Sequence, residues 1–207
     1  MQTTPEQLEE QGYTLQHKLS HDDMMPFIKQ YIKKPTLYGW GFYAFNVLMF
    51  VLVVFFSFHH YLKQQIAPST AFNIFFTSML WAFLLIPLHE FIHVLAYKSQ
   101  GAVHTSYDVV WKKLIFLAVA DRFVASRKEF TVVALAPFIT ITLLLLLPLP
   151  FLNPYWMLLL LCINAWHVTF CVGDFALLSY FAYYGKNEVV TYDDKANRMS
   201  YFYVRTP

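Results

Sequence analysis

Long stretches without a charged side chain constrain this chain more than any other feature. No Asp, Glu, Lys or Arg lies between Lys34 and Lys63, between Lys63 and Glu90, or between Glu129 and Asp174. A helix that crosses a bilayer needs about 20 mostly apolar residues, so the first two gaps are each long enough for one, and the 44 residues between Glu129 and Asp174 are enough for two. Only 14% of the residues are charged and 57% are hydrophobic, whereas soluble domains average about 25% charged and about 45–50% apolar residues. The pattern therefore predicts an integral membrane protein.

The lengths of these gaps predict four crossings. The expected fold class is an all-α polytopic membrane protein with about four transmembrane helices and a small cytoplasmic β-rich loop and tail. Its expected parts are an N-terminal cytoplasmic segment 1–40, a membrane domain 41–184 with a cytoplasmic loop 98–128, and a cytoplasmic tail 185–207. The expected spans, the last two separated by a proline-rich turn, are 41–62, 71–98, 129–152 and 154–184.

Two polar segments show strand-like composition. Residues 103–119 are rich in β-branched and aromatic residues, with a turn expected at Lys112–Lys113. Residues 188–204 are expected to form two strands around a polar turn.

Basic residues lie almost entirely on one side of this predicted membrane domain. The N-terminal segment carries four of the 15 Lys and Arg residues, the loop six and the tail four. Because basic segments favour the cytoplasmic side, we expect a multi-pass cell-membrane protein, in contact with bilayer lipid, with both termini in the cytoplasm. The net charge of +2 indicates no basic surface for DNA or RNA, so no nucleic-acid partner is expected.

The second expected span ends in an H-E-x-x-H sequence, His89 to His93. Residues four apart share a helix face, so both imidazoles can bind one metal ion. Glu90 projects about 100° around the axis, beside that ion, where its carboxylate can take a proton from water. Ionisable groups within a span are costly and usually functional. The alternative is two interfacial histidines and a glutamate that extends towards the membrane surface.

A catalytic zinc site usually has three protein ligands. Asp174 is the charged residue of the fourth span. Spans two and four run in the same direction, and counting from their outer ends places Asp174 level with His89 and His93 to within about one helical turn. A buried aspartate also needs a partner. Asp174 is therefore the predicted third zinc ligand.

A polar stripe precedes this aspartate, since Asn164, His167, Cys171 and Asp174 follow helical spacing. His167 stands two turns from Asp174, so direct metal binding by His167 would need a break in the helix. Asn164 and His167 are expected to support a ligand or face the substrate, or to hold helices together by hydrogen bonds. Cys171 is expected to pack at a helix interface.

These motifs resemble those of known membrane peptidases. An H-E-x-x-H within a span and an aspartate on a later span are similar to the site-2 group of intramembrane zinc metalloproteases. The layout resembles more closely the putative zincin peptidases, a family of small bacterial membrane proteins. The matching features are HEFIH at 89–93, Leu-Ala-Pro at 135–137, Asn164 and Gly173-Asp174. The resemblance implies one Zn²⁺ per chain on His89, His93 and Asp174.

The predicted function is therefore a membrane-embedded zinc endopeptidase, with Glu90 as its catalytic base, that cleaves a membrane-protein or peptide substrate near the cytoplasmic face. Two alternatives remain open from the sequence. A metal carrier or sensor would use the same ligands without hydrolysis, and an inactive scaffold would bind a membrane partner.

Overall fold

The computed structural model describes residues 4–111 and 115–206. The expected turn residues Lys112 and Lys113 lie outside the described residues. The helices, in chain order, are α1 (Met24–Tyr31), α2 (Leu37–Leu62), α3 (Pro68–Leu84), α4 (Ile86–Ser99), α5 (Arg127–Leu146), α6 (Pro154–Phe170) and α7 (Val172–Tyr183). The strands are β1 (Thr14–Ser20), β2 (Thr105–Val110), β3 (Ile115–Ala120), β4 (Ala125–Ser126), β5 (Glu188–Asp194) and β6 (Met199–Arg205).

Local capping explains where the long helices begin. The Thr36 hydroxyl accepts a hydrogen bond from the Gly39 amide at the start of α2. Gly39 is needed there because a Cβ would lie 2.6 Å from the Lys34 carbonyl oxygen. At the start of α5, Ser126 and Glu129 form a reciprocal capping box. Such caps satisfy amides that have no partner within the helix.

Two antiparallel sheets make the expected all-α fold class wrong. Strands β1, β6, β5 and β4 form a four-stranded sheet in that order, and β2 pairs with β3 in a separate hairpin. The strands expected within 103–119 and 188–204 are present, but β1 and β4 extend the tail hairpin into a larger sheet. The protein is therefore a mixed α/β structure.

The expected count of four continuous spans is also corrected. Within the described part of the chain, three helical segments are long and apolar enough to cross a membrane, namely Leu37–Leu62, Pro68–Ser99 and Arg127–Phe151. The fourth expected span is instead the pair α6 and α7, which bend by 44° and pass the same test only when taken together. Cys171 stands at the break between them.

The long helices expose much of their apolar surface. On α2, for example, Trp40, Phe50 and Phe55 are each more than half exposed. The interior instead lies around α6 and α7, where Leu158, Leu161 and Leu178 are fully enclosed. Exposed apolar surface of this extent is unusual for a soluble monomer and is typical of an interaction with lipid or protein.

The four-stranded sheet packs against one end of the helices through aromatic side chains. Phe202 of β6 is 1% exposed, and its ring centroid lies 5.5 Å from that of Phe27 and 4.9 Å from that of Tyr180. Because the sheet contains strands from the N-terminal segment, the segment before α5 and the tail, it holds all three at the same end of the helices.

Candidate metal centre

The H-E-x-x-H residues occupy the first half of α4. The helix begins after a break at Leu85, with Pro87 in its first turn. His89, Glu90 and His93 are all buried, at 9%, 9% and 7% exposure. Proline is well accommodated in a first helical turn, where its missing N–H would have no intrahelical partner.

Asp174 on α7 meets both histidines. Its Oδ2 lies 3.2 Å from His89 Nε2, and its Oδ1 lies 3.2 Å from His93 Nε2. The two Nε2 atoms are 3.0 Å apart. Ligands at about 2.0–2.2 Å around a tetrahedral zinc ion lie about 3.3–3.6 Å from one another. The three side chains therefore fit a zinc ion with adjustments of a few tenths of an ångström.

The other ring nitrogen of each histidine, Nδ1, also contacts a neighbouring group. His93 Nδ1–H donates to the Val133 carbonyl on α5 at 2.9 Å, which leaves His93 Nε2 with its lone pair towards Asp174. His89 Nδ1 lies 3.2 Å from His167 Nε2. Such partners fix the tautomer and orientation of metal-binding histidines.

His167 on α6 and Asp174 on α7, on either side of the break at Cys171, both contact His89. His167 nevertheless contacts the Nδ1 side of His89, away from the Nε2 that meets Asp174. Its own Nδ1 is buried with no hydrogen-bond partner among the described residues. Asn164 lies apart from this contact, since its amide nitrogen donates to Met49 Sδ of α2 at 3.5 Å.

Glu90 differs in position from Asp174. One ligand atom from each of His89, Glu90 and His93 lies within 4.8 Å of the others, whereas the Asp174 oxygens lie at 3.2 Å from the imidazoles. The shorter distances favour Asp174 as the third ligand. The Glu90 carboxylate interacts with the backbone amide of Ala118 on β3 and remains beside the three donors.

A cavity of about 530 Å³ adjoins these side chains. The H-E-x-x-H residues, Asp174, β3 and the near end of the four-stranded sheet line it. A volume of this size is typical of a ligand or substrate pocket.

Three further residues that line the cavity, His21, Asp193 and Ser200, belong to a polar network that the sequence did not indicate. His21 Nδ1–H donates to Asp108 Oδ2 at 2.7 Å, and His21 Nε2 lies 3.2 Å from Ser200 Oγ. The Ser200 hydroxyl donates to Asp193 at 2.6 Å. Burial raises the pKa of the Asp193 carboxyl, although the hydrogen bond from Ser200 acts to lower it. Asp193 and Ser200 pair across one hairpin, but His21 and Asp108 come from distant segments, so no local motif could have indicated the whole network.

Strand β3 presents a free edge to the same cavity. The Ala120 amide donates to Asp193 rather than to β2, whereas the next amide, of Asp121, donates to the His104 carbonyl beside β2. Because amides alternate in direction along a strand, those of Phe116 and Ala118 also point away from β2. Both residues line the cavity. The Ala118 amide is taken by Glu90, whereas the Phe116 amide has no strand partner among the described residues.

Comparison with known proteins identifies one family. A family described as "Putative zincin peptidase" matches residues 82–189, more than half of the chain. No curated protein and no solved structure matches the chain. The matched region includes α4, β3 and α7, which carry the histidine pair, the cavity-lining strand and Asp174. A zincin family implies zinc as the metal, in agreement with the donors that meet here. The chain belongs to the putative zincin peptidase family.

Proposed function

We propose that the protein is a membrane-embedded zinc metalloendopeptidase, similar to the site-2 group, that hydrolyses a peptide bond near the cytoplasmic face. The observation that carries this proposal is the convergence of His89, His93 and Asp174, with donor atoms 3.0–3.2 Å apart. Glu90 and a substrate-sized cavity lie directly beside them. A zinc peptidase site combines two imidazoles and one carboxylate as metal ligands with a second carboxylate as the base.

The chain's own residues support a general-base mechanism. His89, His93 and Asp174 would hold the ion, which supplies Lewis acidity and lowers the pKa of a coordinated water. The Glu90 carboxylate accepts a proton as water attacks the substrate carbonyl, and then donates that proton to the leaving amine. His167 and the Val133 carbonyl keep the two imidazoles in the ligating orientation.

The free edge of β3 suggests how an extended substrate binds. A peptide that pairs with the Phe116 backbone would lie along the cavity wall, next to the Ala118 amide that contacts Glu90. Phe116→Pro would remove an outward amide and is expected to impair cleavage without lowering expression. Phe116→Ala, which keeps the amide, is the matched control.

The proposed membrane placement follows from the apolar helices and the basic residues. The segments that meet in the four-stranded sheet carry most of the Lys and Arg residues, so we assign the sheet and both termini to the cytoplasm. The exposed apolar faces would then contact bilayer lipid, and the substrate would be a membrane protein or a peptide. We further assign the protein to a bacterial cell membrane.

Peptide cleavage by detergent-purified protein tests this proposal. We expect wild-type protein with zinc to cut members of a peptide library, identified by mass spectrometry, and Glu90→Gln protein to cut none of them at a comparable rate. A metal carrier would instead keep its zinc flux across proteoliposomes in the Glu90→Gln variant. Equal cleavage by both proteins would refute the proposal.

A further inference from the structure

A second group of metal-binding atoms lies on the other side of His89. One donor atom from each of His89, His167 and Cys171 lies within 4.8 Å of the other two. His89 Nδ1 is 3.2 Å from His167 Nε2, and Cys171 Sγ is 3.8 Å from His167 Nε2. A tetrahedral ion with about 2.0 Å bonds to nitrogen and a 2.3 Å bond to sulfur needs separations of about 3.3 Å between nitrogens and about 3.5 Å between nitrogen and sulfur. These two distances would need to change by a few tenths of an ångström to hold an ion.

The surroundings of this group suit a soft cation. His167 is 2% exposed and Cys171 is fully buried, so bulk water does not compete for the donors. Thiolate and imidazole together select Zn²⁺ and similar d¹⁰ ions over Mg²⁺ or Ca²⁺. Helical spacing places Cys171 beside the imidazole one turn before it, since the Cys171 amide donates to the His167 carbonyl at the end of α6.

We propose that His89 Nδ1, His167 Nε2 and Cys171 Sγ form a second site for a thiophilic divalent cation, joined to the first site through the His89 ring. Zn²⁺ would be its natural occupant and Cd²⁺ a spectroscopic probe. Binding releases the Cys171 thiol proton and the His89 Nδ1 proton, so the shared ring becomes a bridging imidazolate.

Charge balance supports simultaneous occupation of both sites. Two divalent ions would bring four positive charges to a buried place. Asp174, Glu90, the Cys171 thiolate and the His89 imidazolate supply four negative charges within the same cluster. Buried charges are tolerated when they are paired or bind metals.

Occupation of the second site would inhibit the peptidase. An ion in the second site would replace the hydrogen bond between His89 and His167. It would also draw electron density from the His89 ring, to which the first ion binds as well. This consequence rests on the proposed function, whereas the second site itself does not. Excess Zn²⁺ is therefore expected to inhibit wild-type protein and to inhibit Cys171→Ser protein less.

Cadmium titration of the full-length, metal-free protein in detergent tests the site directly. Thiolate bound to Cd²⁺ gives a near-ultraviolet charge-transfer band. We expect the band in wild-type protein and in Cys162→Ser, because Cys162 is equally buried but belongs to neither group of donor atoms. We expect no band in Cys171→Ser, whose hydroxyl can still donate to the His167 carbonyl as the thiol does. His167→Gln should weaken cadmium binding at least about tenfold.

Further outcomes separate this inference from the proposed function. The band should persist in Asp174→Asn, which weakens the first site and leaves all three donors of the second. A folded wild-type protein without the band would overturn the second site, as would loss of the band in Cys162→Ser alone. Unchanged cadmium affinity in His167→Gln would overturn it too, since Cys171 would then bind cadmium without the imidazole.

Discussion

Replacement of Glu90 by glutamine separates metal binding from catalysis at this site. Glutamine has nearly the same size and keeps an oxygen that can accept from the Ala118 amide, but it cannot take a proton from water. Glu90 is 9% exposed and stands beside the triangle formed by His89, His93 and Asp174, whose edges are 3.0–3.2 Å. The substitution therefore removes the proposed base and leaves the proposed ligands in place.

The expected magnitude follows from that assignment. General acid–base catalysis by one positioned side chain typically contributes about 10²–10⁴-fold, which corresponds to about 3–5 kcal/mol of the activation barrier. Zinc content should stay at the wild-type level, because Glu90 is not one of the three donors in closest contact. The assay is kcat/KM on the best peptide from the library screen, measured beside zinc content on the same preparation.

Two results would contradict this reasoning. Loss of zinc together with activity would make Glu90 a ligand, in the alternative group with His89 and His93 whose atoms lie within 4.8 Å. Activity within about threefold of wild type would mean that another group takes the proton, because such a change is far below the contribution of a general base. Glu129→Gln is a suitable control, since that carboxylate caps α5 away from the cavity.

Three further predictions concern the ligand, the sheet and pH. Asp174→Asn keeps the side-chain shape but removes a ligand charge, so zinc affinity in a chelator competition assay should fall by at least about 100-fold; unchanged affinity would exclude Asp174 as a ligand. Phe202→Ala should lower the free energy of unfolding by about 3–5 kcal/mol in chemical denaturation, whereas the half-exposed Tyr107→Ala should change it little; equal effects would refute the role of the sheet contact. Burial raises the pKa of Tyr31 to about 12, so its contribution to stability is complete below pH about 10 and is lost as pH rises through about 12. The unfolding temperature of Tyr31→Phe should therefore fall less steeply between pH 9 and 11.5 than that of wild type. Parallel curves of unfolding temperature against pH would contradict the assignment of this loss to Tyr31.

The sequence indicated which side chains meet better than it indicated the fold around them. The H-E-x-x-H spacing is local and depends only on helix periodicity, so it placed His89, Glu90 and His93 on one helix correctly. Counting residues along two expected spans predicted that Asp174 lies near the histidine pair, and the structure places it in contact with both imidazoles. Their roles as ligands and base remain predictions.

Residue spacing and composition did not predict the bend at Cys171 or the four-stranded sheet. No proline near Cys171 marks the 44° break, and Gly173 by itself does not locate it. The contact between His167 and His89 joins residues 78 positions apart on different helices, so local spacing could not predict its geometry. Strand β1 pairs with β6, more than 180 residues later, and a short polar segment gives no local signal for such a pairing. The all-α fold class failed for this reason.

Zinc content tests the site formed by His89, His93 and Asp174 most directly. Wild-type protein, purified in detergent and freed of the zinc that enters the second site only when the metal is in excess, should retain one zinc ion per chain. His93→Ala and Asp174→Ala should lose it, because each removes a donor that lies about 3 Å from the other two. Cys162→Ser should retain it. A folded wild-type protein that binds no zinc after incubation with the metal, or an Asp174→Ala protein that binds it as tightly as wild type, would contradict the three-ligand site.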